Sequence, residues 1–290
     1  MRLIERQHID TLKWDELVNS SNADVFSFSW YLDALAENWC VIVDDNYTAG
    51  IAIPYTKKLG VKMAYIPVFS RYTEWIGNNE KLDEAMKLIE SSFQGYDLRI
   101  RSRIGLQNEE KLIYQQIEEQ EISLGGQAKR MLNKAAKNEF KVEESLELDF
   151  ALKMIENELS GKFKGVDEAS IHRLKELCVS AARERMLRVF SIESIGAITC
   201  IQSESKLLYL KGTATEQGKK NGAMYALMKA AIDFATANKL KFDFGGSNIE
   251  GVRKFNQNLG GTDVKHFRYS KNDAPFWYNL LRKIKHKGNY

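Results

Sequence analysis

Residues 215–223 read Thr-Glu-Gln-Gly-Lys-Lys-Asn-Gly-Ala, a polar stretch with two glycines and two lysines. Directly after it, Met224, Leu227, Met228, Ala231, Ile232 and Ala235 recur at spacings of one, three and four, the apolar stripe of an amphipathic helix. The first N–H groups of a helix have no intrahelical partner, and its positive end favours an anion. Gly218 and Gly222 permit close backbone approach, and Lys219 and Lys220 add positive charge. Such a loop suits the phosphate or pyrophosphate of a donor molecule. It also suits a plain turn of the chain, because short glycine patterns recur by chance.

Other reactive side chains are sparse. Asp243 falls at the end of an apolar run beside Gly245-Gly246, where it is the best carboxylate for binding or proton transfer; capping the adjacent turn is the plainer role. Asp243-Phe244-Gly245 is not a kinase signature, since no His-Arg-Asp loop or kinase-type glycine loop accompanies it. Cys178 and Cys200 sit in apolar-periodic segments and read as buried structural thiols. Cys40 is equally isolated, and four scattered histidines, His172 and His266 among them, form no metal or triad pattern. Arg130, Lys134, Lys137 and Lys141 share one face if a helix runs to residue 141, a stripe fit for an anionic substrate or for solvent. Arg71, Tyr72 and Trp75 follow a strand-like run and offer polar and aromatic groups to a groove.

The elements that must position these groups alternate. Strands are expected at 39–44, 49–55, 64–67 and 97–101, and helices at 82–93 and 109–120. Helices at 151–158 and 170–185 then precede strands at 187–192, 195–202 and 206–212, with Ser194 in a hairpin connection. A strand at 241–244 leads through the glycine turn, with Ser247 or Asn248 as cap, into a helix at 249–258 that Gly260-Gly261 ends. This is an α/β chain with mixed sheets and two halves of similar size.

The 290 residues are 44% hydrophobic and 28% charged, an ordinary globular composition. No run approaches the ~18–20 apolar residues of a membrane span. The N-terminal MRLIERQHIDTLKWDEL is charged throughout and lacks a signal core, which points to the cytoplasm. Charge is uneven: residues 265–290 hold seven Lys or Arg against one Asp, while the whole chain is only +3. Residues 275–290 combine Phe276, Trp277, Tyr278, Leu280, Leu281 and Ile284 with Arg282, Lys283, Lys285 and Lys287, a pattern fit for peripheral contact with the inner face of a membrane or for docking on the protein's own core.

Gln217, Gly218, Gly222 and Ala223 resemble the CoA-binding motif of GNAT acetyltransferases, although Lys220 stands where that family usually has another glycine. Residues 243–247, Asp-Phe-Gly-Gly-Ser, with Gly251, Phe255 and Gly260-Gly261, resemble the C-terminal signature of Fem-type peptidoglycan-bridge aminoacyltransferases and their GNAT-like relatives. Residues 129–138 are similar to the basic helix that introduces the second domain of those proteins, and residues 25–32 to their opening segment. The resemblance covers most of the chain in order. It implies two tandem GNAT-like domains, placed at 1–125 and 126–290, and an N-acyltransferase without a metal.

On that resemblance acyl-CoA, such as acetyl-CoA, is the expected donor. It would lie along Leu210, Lys211 and Gly212, with Gln217, Gly218, Lys219, Lys220, Asn221, Gly222, Ala223 and Asn248 completing its site. An amine acceptor, small or peptide-like and fit to be a cell-envelope precursor, would meet Gly245, Gly246, Ser247, Arg130, Lys134, Arg71 and Tyr72 at an interdomain groove, with Asp243 as the catalytic candidate. GNAT enzymes often place a tyrosine acid where this chain has Phe255 and Asn256, so that role is not carried over. Aminoacyl-tRNA is the alternative donor, disfavoured because the long helical hairpin of some tRNA-engaging Fem proteins is missing; DNA is not an expected partner. A non-catalytic binder of CoA esters on the same scaffold is the alternative of a different class.

Overall fold

A computed structural model describes residues 1–118, 122–145, 148–159, 168–245 and 249–280. They form two compact units, Met1–Leu112 together with the segment from His266, and Ile113–Lys265. The first unit contains β1 (Arg2–Glu5), α1 (Thr11–Ser20), α2 (Ser29–Leu35), β2 (Asn38–Val43), β3 (Gly50–Lys58), β4 (Val61–Tyr65), α3 (Leu82–Ser92) and β5 (Gly95–Ile100). Strand β6 (Glu110–Ile117) carries the chain into the second unit, which continues with α4 (Gly126–Lys137), β7 (Glu143–Ser145), α5 (Leu148–Leu159) and α6 (Glu168–Arg183). There follow β8 (Leu187–Ile192), β9 (Gly196–Gln202), β10 (Lys206–Ala214), α7 (Glu216–Lys220), α8 (Ala223–Ala237), β11 (Lys241–Asp243) and α9 (Glu250–Asn258), before β12 (Thr262–Asn272) returns the chain to the first unit.

Both units are built to one plan. In the first, β1 to β4 pair antiparallel in sequence, β4 pairs parallel with β5, and β5 pairs antiparallel with β12 from Phe267 to Asn272. In the second, β7 to β10 pair antiparallel, β10 pairs parallel with β11, and β11 pairs antiparallel with β6. A parallel pair needs a crossover, supplied by α3 in one unit and α8 in the other. The strand beyond each parallel pair comes from the other half of the chain: β6 follows β5 but joins β11, and β12 follows β11 but joins β5. The compact units therefore differ from the consecutive segments 1–125 and 126–290, because an exchanged strand has no place in a single cut.

In the second unit, Leu227, Met228, Ala231, Ile232 and Ala235 of α8 are fully buried with Phe190, Ile198, Leu207 and Phe242 of the strands, the stripe expected from their spacing. Burying each large aliphatic contributes roughly 1.5–3 kcal/mol. The hairpin at Ser194 is present, with Ile195 N–H donating to the Ile192 carbonyl at 3.0 Å. The helix expected at 109–120 is instead β6. Its residues Tyr114 to Ile117 are buried consecutively, the mark of a strand covered on both faces, and pairing with β11 overrides the local periodicity. Gln115 is tolerated there because its amide donates to Asp263 and accepts from Asn256. The strand expected at 64–67 is β4, earlier by about a turn's length, because the Leu59-Gly60 turn starts it and Pro67 has no N–H to give.

Helix α4 stops at Lys137: Asn138 caps it, Glu139 takes a left-handed φ of 55°, and Phe140 N–H closes on the Ala135 carbonyl. Lys141 thus lies outside the helix, and the basic stripe is Arg130, Lys134 and Lys137. Among the described residues no helix is long and apolar enough to cross a membrane.

Candidate functional site

The second unit holds an opened parallel pair. β10 and β11 are in register only from Lys206–Lys241 to Leu208–Asp243. Immediately afterwards β10 bulges between Tyr209 and Lys211 against β9, and the Lys211 carbonyl is taken by the Thr199 hydroxyl at 3.0 Å. On the other side the chain leaves with β6: Phe244 N–H donates to the Gln115 carbonyl at 3.2 Å. Among the described residues no strand pairs with that edge of β10 beyond Leu208. Tyr209, Leu210, Lys211 and Gly212 are partly exposed in an otherwise buried strand. A backbone edge bent away from its neighbour can accept an extended ligand as a further strand, and its free N–H groups can stabilise a carbonyl oxygen.

The turn after β11 marks the apex of the opening. Gly245 has φ 77°, and a Cβ there would lie 2.5 Å from the Tyr209 carbonyl, so only glycine lets β11 end this close to β10. Asp243 is fully buried; its Oδ1 accepts from Gly245 N–H at 2.9 Å, and its Oδ2 stands 3.7 Å from Lys206 Nζ. These contacts tie the apex together, and they are the turn-capping role weighed above for this carboxylate. Gly246, Ser247 and Asn248 lie outside the described residues.

Tyr209 was not among the residues singled out by sequence. Its hydroxyl is 3.5 Å from the Gly212 carbonyl, spanning the bulge, and burial pushes its pKa well up, so it is a neutral phenol with a proton to give. Nothing in the string Leu-Tyr-Leu-Lys-Gly signals the bulge that aims it.

The loop after β10 is more ordered than a plain phosphate-binding turn. Thr215 caps α7 through its hydroxyl to Gly218 N–H at 3.0 Å, and its carbonyl takes Lys219 N–H at 2.8 Å. Asn221 and Gly222 N–H groups are also used internally, on Gln217, Gly218 and Lys219 carbonyls. Among the described residues the backbone donors left for a ligand are those of Gln217 in α7 and of Ala223, Met224 and Tyr225 at the start of α8. Gly222, at φ 91°, serves packing: a Cβ would sit 2.2 Å from the Met131 carbonyl of α4. Gly218 is likewise pressed on Ile195.

Helix α4 delivers its cations to the same place. Lys134 Nζ donates to the Lys220 carbonyl at 2.8 Å, and the Arg130 charge is felt at Tyr225, whose pKa burial raises and Arg130 draws back down. Tyr225 in turn packs edge-on to Phe255 of α9 at 4.7 Å. Lys220 and Arg130 are exposed, and Lys219 is paired at 3.3 Å with Glu216 on the surface. The start of α8 is therefore ringed by Arg130, Lys134, Lys219 and Lys220, and among the described residues no carboxylate pairs with Arg130, Lys134 or Lys220; the ring is an anion-attracting rim.

Arg71 and Tyr72 belong to the first unit and are both buried. The Arg71 guanidinium lies over Phe26 at 5.6 Å and over Tyr72 at 5.5 Å, and Tyr72 donates its hydroxyl to Asp24. They lie in the chain between β4 and β5, the first unit's own parallel pair, where the chain fills the gap. Thr73 bridges Ile100 in parallel, Thr73 N–H donates to Arg99 at 2.9 Å, and Ile76 exchanges both backbone bonds with Gly50 of β3. Glu74 is buried beside Asp24, which together with burial raises its pKa, and Arg101 holds it at 3.0 Å. The three cysteines are buried, and burial pushes the Cys178 thiol up to about 12. His172 is exposed on α6 and His266 is buried at 5.9 Å from the Tyr72 ring. Among the described residues no cluster could hold a metal ion.

No protein-family model and no curated protein sequence matches the chain. Solved structures do. FemX aligns over 97% of this chain and 100% of its own at TM-score 0.64 and 13% identity. The C-terminal domain assigned to a lysylphosphatidylglycerol synthetase of Agrobacterium fabrum aligns over 91% and 92% at TM-score 0.61 and 12% identity. A tandem GNAT protein from the clavulanic acid biosynthesis pathway aligns over 94% and 99% at TM-score 0.51 and 6% identity. The chain has a Fem-like, tandem GNAT-type fold.

Proposed function

We propose that the chain is an N-acyltransferase whose donor lies in the opening between β10 and β11 of the second unit. The observation that carries this is the parting of that parallel pair at Leu208, with the bulge at Tyr209–Lys211 and the cation-rimmed start of α8 beyond it. Acyl-CoA is the preferred donor: its pantetheine arm would run along Leu210–Gly212, its pyrophosphate at the first turns of α7 and α8 beside Lys219 and Lys220. The acceptor is an amine, with a peptide-like cell-envelope precursor the favoured class. Its nitrogen attacks the thioester carbonyl, a C–N bond forms, the C–S bond breaks, and the departing thiolate takes a proton. Tyr209 is the neutral phenol nearest that event and would supply the proton, regaining one from the ammonium formed at the acceptor. Most of the rate would come from holding the two reactants in line.

The exposed cations of α4 favour a second reading, in which the donor is aminoacyl-tRNA and Arg130, Lys134 and Lys137 meet its backbone. FemX and the lysylphosphatidylglycerol synthetase domain share the fold, and the second name is that of an aminoacyl-lipid enzyme, which supports keeping it. Calorimetry with acetyl-CoA and longer acyl-CoAs, beside filter retention of charged tRNA, separates the two. Lys219→Glu with Lys220→Glu should weaken CoA binding at least about tenfold, two charges near a polyphosphate being worth more than ~1.4 kcal/mol. Unchanged affinity would rule out the phosphate position. Binding of CoA esters without turnover on any amine of a broad panel would leave the protein a binder on a transferase scaffold.

A further inference from the structure

Strand β9 is apolar and buried from Gly196 to Ile201 except for one hydroxyl, that of Thr199, which is fully enclosed. A hydroxyl taken out of water is tolerated only where it is hydrogen-bonded. Its proton goes to the Lys211 carbonyl at 3.0 Å, across the pair at which β10 carries its extra residue, Leu210. Its oxygen meets Cys178 of α6, likewise fully buried, where the contact offsets part of the rise that burial gives the thiol. The hydroxyl has one proton and the carbonyl takes it, so the thiol is left to donate to the same oxygen. Thr199 is thus fixed by α6 on one side and holds the bulge on the other.

The direction of that carbonyl decides where the next amide points. A trans peptide is planar, with its C=O and N–H on opposite sides. The Lys211 carbonyl, turned toward β9, therefore turns the Gly212 N–H away from β9, to the edge of β10 that no strand covers among the described residues. Two further observations agree. A Cβ on Gly212 would come within 2.7 Å of the Ile198 Cα, the close approach of a pair that exchanges no backbone bonds and points its N–H and C=O away from the partner strand. The Gly212 carbonyl is also the one that lies 3.5 Å from the Tyr209 hydroxyl, beside the opening.

We propose that Thr199 is a positioning residue for the donor: by holding the Lys211 carbonyl it aims the Gly212 N–H into the opening between β10 and β11, where a carbonyl of the extended donor accepts it. The assignment rests on the donor lying in that opening. Thr199 itself touches no ligand; it acts through the peptide it holds. Valine matches its shape but not its hydroxyl. In Thr199→Val the Lys211 carbonyl loses this bond, and the peptide is released to rotate and carry the Gly212 N–H out of line. Serine keeps the hydroxyl and with it the aim.

The test compares the full chain with Thr199→Val, Thr199→Ala and Thr199→Ser. Each is titrated with acetyl-CoA by calorimetry, and magnetic resonance follows hydrogen exchange at the Gly212 amide and the isotope-labelled Lys211 carbonyl. Wild type and Thr199→Ser should bind acetyl-CoA alike, and binding should protect the Gly212 amide. Thr199→Val should bind about three- to tenfold more weakly, the worth of one hydrogen bond, and its Gly212 amide should gain no protection. Its Lys211 carbonyl resonance should move already in the free protein, while Thr199→Ser leaves it in place. Should Thr199→Val fail to fold, Thr199→Ala carries the same comparison. Equal affinity and equal Gly212 protection in Thr199→Val, or an equal loss in Thr199→Ser, would overturn the assignment. Absence of binding by wild type would overturn the donor reading and leave the aim to the free protein. There a Lys211 resonance that moves in Thr199→Val and not in Thr199→Ser upholds the aiming of the amide, and an unmoved one overturns it.

Discussion

Replacing Asp243 by Asn separates a structural carboxylate from a catalytic one. The side chain is fully buried, Lys206 Nζ stands 3.7 Å from it, and the lysine side chain is itself only 9% exposed. At an effective dielectric of ~20 two unit charges at that distance attract by about 4–5 kcal/mol. Both charges were desolvated to form the pair, so its net worth is smaller, but removing one charge from beside the other in a buried site costs roughly 3–5 kcal/mol. Asn keeps an oxygen for the Gly245 N–H bond, so Asp243→Asn should lose about 3 kcal/mol and Asp243→Ala about 1 kcal/mol more. Asp243→Leu with Lys206→Met should be milder than the sum of the single changes, because no charge is left buried. Urea unfolding gives these values, and turnover of the folded fraction gives the activity. If Asp243→Asn leaves stability within about 0.5 kcal/mol and still abolishes turnover, Asp243 acts in the chemistry and its apex-holding role is wrong.

Gly222→Ala should destabilise the second unit by at least ~2 kcal/mol in chemical unfolding, combining left-handed strain with a 2.2 Å approach to the Met131 carbonyl. Burial pushes the Asp44 carboxyl up, but bonds from Thr48, Ala49 and Lys81 outweigh it and hold the pKa at about 2. A folded pKa below the unfolded value of ~3.9 adds stability that is present above about pH 4 and is lost as pH falls towards 2. Wild type should therefore lose about 2 kcal/mol more than Asp44→Asn across that window, read from unfolding at each pH. Tyr209→Phe should lower kcat about 10²-fold or more with little change in donor affinity, if the phenol supplies the proton. If acyl-CoA is the donor, a calorimetric titration with it should saturate at one per chain, since among the described residues only the second unit's parallel pair is open.

What sequence reached, and what it missed, divides by the range of the interaction. The α8 stripe, the β8–β9 hairpin at Ser194 and the α9 stop at Gly260-Gly261 depend on residues a few positions apart, and all three were legible. Residues 109–120 were not, because the consecutive burial of Tyr114 to Ile117 comes from strands and helices far along the chain. The exchange of β6 and β12 is invisible for the same reason: each strand looks like the end of its own half. In the candidate site, Gly222 and Gly218 stood out by type, but their reasons are Met131 and Ile195, which no local spacing reveals. The bulge that aims Tyr209 arises from the register of β9 on β10, a property of the pair and not of either string.

The common plan of the two sheets makes their one difference informative. In each unit a parallel pair is crossed by a helix, and a pair whose strands diverge leaves a row of backbone groups to be satisfied. The first unit satisfies them from within: Thr73 and Ile76 enter beside Ile100 and Gly50, and Tyr72 and Glu74 close over the insertion with Asp24 and Arg101. The second unit leaves β10 from Tyr209 onward with no strand on that edge among the described residues, and follows it with α7, whose Gly218 N–H is capped by Thr215. An internally filled gap cannot admit a donor without expelling a buried bridge and taking buried Glu74 away from Arg101. A repeat that has closed its gap in this way is released from the demands of chemistry at that place. The division follows from which gap the chain itself fills, and Thr73→Pro, which removes the N–H given to Arg99, should unfold the first unit's end of β5 without opening a second donor site.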